Sequence, residues 1–151
     1  MKRMMLFSVL FFIFLFTWYG ESRSFVCLNN GKCVTVWKTY NDICYIVPGK
    51  YYGLIRPSKN FIQSTNNNNL TIYFTSEMPK AFIFKSEVSL KINNDDQKES
   101  VFYDYNQDIT KFDKVLYKPG AKRINDVKAD AQLIDIIIHD DIAWDKNGKM
   151  L

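Results

Sequence analysis

Between residues 70 and 92 apolar and polar side chains alternate almost one for one. Leu70, Ile72 and Phe74 alternate with Thr71, Tyr73 and Thr75. Phe82 and Phe84 alternate with Ala81, Ile83 and Lys85, and Val88, Leu90 and Ile92 with Ser89 and Lys91. A repeat of two puts each apolar set on one face of an extended strand, whereas a helix would scatter it around its axis. Sheet is therefore the regular structure in which this stretch buries its apolar groups together. Met78-Pro79 punctuates the first gap, and Asn93-Asn94-Asp95-Asp96 reads as a turn.

Shorter strand signals recur on both sides. Residues 34–39 and 43–47 flank Tyr40-Asn41-Asp42, and residues 51–55 lie between Pro48-Gly49 and Arg56-Pro57. Residues 101–105 and 114–117 read the same way. Residues 133–138 are apolar except for Asp135, which suits an interior strand covered on both faces. Ser64 to Asn69 reads as a polar loop with no reason to be buried. Ile124, Val127 and Ala131 share one helical face, so a single short helix is expected over 121–131. The tail is expected to pack Trp144 and then fray. Aromatic residues form 16% of the chain, and such abundance fits strands better than helices. Eight or nine strands at short spacing imply an all-β or mainly β fold, an antiparallel sandwich or barrel.

The N-terminus has the three zones of an export signal. Lys2 and Arg3 precede an apolar run from Leu6 to Tyr19, and a short polar stretch follows. Ser22-x-Ser24 offers the small side chains that signal peptidase favours, so the expected division is a signal over 1–24 and one domain over 25–151. A membrane-spanning helix needs roughly 20 apolar residues, and this run is shorter. A retained N-terminal anchor is the alternative. Lipidation of Cys27 fits less well, because Val26 stands where a small residue is expected. Each of these routes places the domain outside the cytoplasmic membrane, secreted or periplasmic, and cleavage leaves no stable anchor.

The cysteines agree with an oxidising compartment. If Asn29-Asn30-Gly31 forms a three-residue hairpin loop with Gly31 left-handed, Cys27 lies opposite Cys33 and the two can join. That pairing leaves Cys44 over, although three cysteines allow other connectivities. Without the leader the chain loses three of its 20 basic side chains and one of its 16 acidic ones. A net charge of +2 is too small to indicate a nucleic-acid partner.

Chemistry-bearing groups are sparse. The single histidine, His139, precedes Asp140-Asp141, and a hydrolase would use it as a general base with one of those carboxylates or with Cys44. No G-x-S-x-G accompanies it. Asp104-x-Asn106-x-Asp108 resembles half a calcium loop, but Ile109 and Val115 occupy the sixth and twelfth positions, where Gly and Glu belong. No metal or cofactor is expected. Asn69-Leu70-Thr71 fits the glycosylation sequon, a tripeptide common by chance in an asparagine-rich chain. Tyrosines are plentiful, and aromatic surface anchors protein or glycan partners. Tyr51, Tyr52 and Arg56 form a basic-aromatic group, and Tyr73 alternates away from the core. The expected function is thus a non-enzymatic binding module using those four residues. A small secreted hydrolase and a structural component of an envelope assembly are the alternatives.

Overall fold

The structure, a computed structural model, describes residues 7–12, 15, 21–74, 81–95, 101–107 and 132–151. Among the described residues ten strands make two five-stranded sheets. The first holds β1 (Ser22–Cys27), β2 (Cys33–Lys38), β3 (Ile43–Pro48), β4 (Phe61–Thr65) and β7 (Lys91–Asn93) in that order. The second runs β10 (Ile142–Asp145), β9 (Gln132–Ile137), β5 (Asn69–Phe74), β6 (Ala81–Ser86) and β8 (Val101–Asp104). Neither sheet closes on itself, so the architecture is a sandwich and not a barrel. A 3-10 turn over Tyr105–Gln107 follows β8. Residues 7–12 and 15 are helical, and no helix among the described residues is long and apolar enough to cross a membrane. The expected strand over 114–117 and helix over 121–131 lie outside the described residues.

The period-two pattern builds the core. Val34, Val36, Cys44, Ile46 and Ile62 point from the first sheet toward Leu70, Ile72, Phe74, Phe84, Phe102, Ile134 and Ile136 of the second. Such a layer, contributed by the inner faces of both sheets, is the main stabilising term of a sandwich. The opposite side chains of the second sheet do not all reach water. Tyr73, Ile83, Leu133 and Tyr105 form a second buried cluster on its outer face. As expected, β9 is an interior strand covered on both sides.

The first hairpin forms as its sequence requires. Gly31 adopts φ 82°, Leu28 and Lys32 close the loop with a 2.8 Å backbone bond, and Cys27 pairs with Cys33 across the ladder. These cysteines form a disulfide, and Cys44 is left free in the core.

Several expectations are corrected. Residues 51–55 form no strand: they belong to a loop that lies across the outer face of the first sheet. The strand expected over 88–92 shrinks to β7, because Val88 turns outward beside the Ser86 hydroxyl, which both donates to the Val88 carbonyl and accepts from its N–H. The tail does not fray after Trp144 but forms β10, closed by a Leu151 N–H to Ala143 carbonyl bond of 2.9 Å. One pairing departs from antiparallel order. β6 and β8 run parallel because β7, between them in sequence, lies in the other sheet, so the chain crosses over and returns.

The 64–69 segment is also not a free surface loop. It carries the chain from one sheet to the other, and Ser64 and Asn68 are buried in the crossing. The Asn68 amide donates to Ser64 Oγ on β4 and to Ser86 Oγ on β6, each at 2.6 Å, which ties the sheets together from inside. At another point Lys38 Nζ, on β2, donates to the Ile138 carbonyl at 3.2 Å and to Asp141 at 2.5 Å. The Asn68 bridge has a measurable consequence. Asn68→Ala removes the donor to Ser64 Oγ and to Ser86 Oγ, the latter keeping its Val88 bonds, which costs about 1–3 kcal/mol, and thermal unfolding should show the midpoint lower by several degrees. An unchanged midpoint would mean that the crossing is not load-sharing.

Candidate functional site

Thr35, Trp37, Tyr45, Val47 and Phe61 project from the first sheet on the side away from the second sheet. Facing water, this row would leave a large apolar surface. It is covered instead by the 49–60 loop and by the side chains of β1. Thr35 begins the cover: its hydroxyl donates to the Gly49 carbonyl and accepts from the Tyr51 N–H, both at 2.8 Å. Those bonds lay the loop over the sheet rather than beside it.

Tyr51 then packs near Trp37, with ring centroids 6.0 Å apart, and its hydroxyl donates to the Ile55 carbonyl at 3.0 Å. Gly53 lies against this phenol, and a Cβ there would overlap it. A side chain at residue 53 would have to displace the Tyr51 phenol from this position.

Charged groups complete the cover. The Arg23 guanidinium sits 4.0 Å above the Trp37 ring and donates to the Tyr51 carbonyl at 3.2 Å. Glu21 accepts the Trp37 indole N–H at 2.8 Å through one carboxylate oxygen. Its other oxygen accepts from Arg56, through Nε at 3.0 Å and through Nη2. That hydrogen bond to Glu21 is the main reason the Arg56 guanidinium is held above its already high range. Trp37 ends only 4% exposed, with its polar N–H satisfied.

Cover of the sheet leaves the loop's own tip uncovered. Leu54 and Ile55 are each 77% exposed and Tyr52 69%. Phe25 packs against Tyr52 with centroids 5.2 Å apart, and Tyr40 lies under Arg56 at 5.7 Å. Three apolar side chains in four residues thus stand out from a base held by hydrogen bonds, an ion pair and ring stacking.

Of the four binding residues expected from sequence, the structure brings Tyr51, Tyr52 and Arg56 together. Tyr52 is presented to solvent, while Tyr51 and Arg56 build the base. Tyr73 is a correction. It does turn away from the main core, yet it is fully buried in the second cluster beside Tyr105 and offers no surface. Leu54, Ile55, Phe25, Glu21 and Arg23 are not singled out by the sequence. The available signal was a Leu-Ile pair flanked by Gly53 and Arg56-Pro57, apolar residues inside a segment rich in turn formers.

The groups a hydrolase would need are divided between the surface and the core. His139, Asp140 and Asp141 are exposed on the turn between β9 and β10, where Asp141 is paired with Lys38. Cys44 is sealed in the main core, and burial pushes its thiol up to about 12. A thiol held protonated in a dry core is no nucleophile. Asp104 and Asn106 are spent locally: Asp104 accepts from the Asn106 N–H, and the Asn106 amide donates to the Ser86 carbonyl. Asp108 lies outside the described residues, among which no three acidic, histidine or cysteine groups gather to hold a metal. Asn69 is exposed at the start of β5. No family model, no curated protein and no solved structure matches the chain.

Burial of Cys44 fixes two outcomes. A maleimide should label it only after unfolding; rapid labelling of the native protein would contradict its placement. Because its folded pKa of about 12 exceeds the reference value of 9.0, its contribution to stability is complete below pH 9 and is lost as pH rises toward 12. In Cys44→Ala that component of the alkaline loss should vanish from pH-dependent unfolding curves.

Proposed function

We propose that this domain is a non-enzymatic binding module, working outside the cytoplasmic membrane, that docks a protein partner through the tip of the 49–60 loop. One observation carries the reading: Tyr52, Leu54 and Ile55 are exposed side by side on a loop whose base is fixed. Exposed apolar residues scattered singly are ordinary, whereas a cluster on a braced segment has the properties of an interface centre. Bracing matters energetically, since a contact that is already ordered costs less conformational entropy on binding.

The chemistry of the tip favours protein over glycan. A sugar site sets a flat ring beside hydrogen-bonding groups. Here the two most exposed members, Leu54 and Ile55, have no polar atoms in their side chains, and they fit an apolar pocket on another protein. Lys50 and Lys59 are exposed on the same loop and would lie at the polar rim of such a contact. The extracytoplasmic setting draws support from the Cys27–Cys33 disulfide and from the leader-like N-terminus.

The test is residue-specific crosslinking in cells of the source. A photoreactive residue at position 54 should yield a discrete protein adduct, and the same residue at Asn147, exposed on the last turn, should not. Leu54→Asp with Ile55→Asp should remove the adduct of a probe at Tyr52 while changing stability by less than about 0.5 kcal/mol. Equal adducts from both faces, or none from position 54, would remove the loop tip as the docking surface.

A further inference from the structure

Two small-x-small pairs follow the apolar run, Gly20-x-Ser22 and Ser22-x-Ser24, and a cut after either would fall inside the folded domain. β1 starts at Ser22, and half of its ladder with β2 is made by residues that a cut after Ser24 would discard: Ser22 opposite Lys38, Arg23 opposite Trp37 and Ser24 opposite Val36. Glu21, one residue earlier, holds both the Trp37 indole and Arg56.

We propose that the folded exported domain retains Glu21–Ser24, so that any leader cut falls ahead of Glu21 and not after Ser24. Removal of those four residues would undo a connected set of interactions. Trp37 would lose the guanidinium over its ring and the acceptor of its N–H, leaving a buried donor without a partner. Arg56 would lose its carboxylate and Tyr51 the cation bonded to its carbonyl, so the loop would lose its charged fastenings and keep the Thr35 bonds at its start. A new ammonium group on Phe25 would also stand opposite Thr35, in the middle of the present ladder. What remained of β1 would be Phe25 to Cys27, held at its far end by the disulfide.

A signal peptidase acts on the chain before it folds, so the fold does not shield Ser24 from the cut. The selection comes afterwards. A product that begins at Phe25 exposes Trp37 and loosens the 49–60 loop, and loosened segments are where proteases act. Ahead of Glu21 the sequence reads Trp18-Tyr19-Gly20. Gly20 suits the last position before a cut, while Trp18 is bulky for the third from last. Inefficient cutting there also leaves Glu21–Ser24 in place. The apolar tip of the docking surface contains none of these residues, although its base is fastened by Glu21 and Arg23.

The experiment is the intact mass and N-terminal sequence of the full chain, carrying a C-terminal tag, expressed in a secreting host and recovered outside the cytoplasm. An N-terminus at or before Glu21 on the folded product is the expected result. A product that begins anywhere after Glu21, at Arg23 or Phe25 included, and still unfolds cooperatively with Cys44 protected would overturn the proposal. A second variant removes dependence on the host's processing. Glu21→Ala with Arg23→Ala in the full chain should lower the unfolding midpoint and shift tryptophan emission to the red, as water reaches Trp37. No change in either would show that the segment is not part of the fold, and the proposal would fail.

Discussion

The candidate site depends on the burial of Trp37 on a sheet face that has no second sheet to cover it. An indole is large, apolar and carries one N–H, so it must be dried and given an acceptor at once. Aliphatic cover from a second sheet would supply only the first. Here the cover is polar at its edges. Arg23 stacks on the ring, Glu21 takes the N–H, and Tyr51 closes the side. Arg56 then fastens the loop to Glu21, so one carboxylate serves the tryptophan and the loop together. The exposed tip is a by-product of this solution: the loop turns inward at Tyr51, curls past Gly53 and must turn outward at Leu54 and Ile55.

The two sheets solve their outer faces differently. The second sheet covers itself with Tyr73, Ile83, Leu133 and Tyr105, ring against ring and aliphatic. The first sheet borrows a loop and the edge strand β1. A loop is easier to remodel than a strand, which makes the first sheet the natural place for a contact surface. The same difference explains why an edge strand with the unpromising sequence Ser-Arg-Ser holds its place. Its hold comes from Arg23 and the preceding Glu21, with little help from apolar burial by its serines.

Much of the fold is legible in the residues. Alternation in 70–74 and 82–84 fixes two strands and their inner faces, the apolar stretch before His139 fixes an interior strand, and Asn29-Asn30-Gly31 fixes the first hairpin with its disulfide. What escapes has a common physical cause. Period two tells which side of a strand a residue takes but not what lies on that side, so Tyr73 reads as surface and is buried. Tyr51 to Ile55 has strand-like composition, yet the bonds from Thr35, fourteen residues and more upstream, decide its path. Asn68 reads as loop because its partners, Ser64 and Ser86, belong to different sheets. β1 is hidden because its polar half looks like the end of a leader. For the same reason Tyr51, Tyr52 and Arg56 could be singled out by their clustering, while Glu21 and Arg23 could not.

The most direct measurement is exchange of the Trp37 indole hydrogen with solvent, followed by nuclear magnetic resonance on the full chain. Its bond to Glu21 and its cover by Arg23 and the loop require slow exchange, with the signal moving when Glu21 is replaced by glutamine. Exchange as fast as that of a free indole, untouched by that replacement, would show that Trp37 is not held as described and that the loop tip has no fixed base.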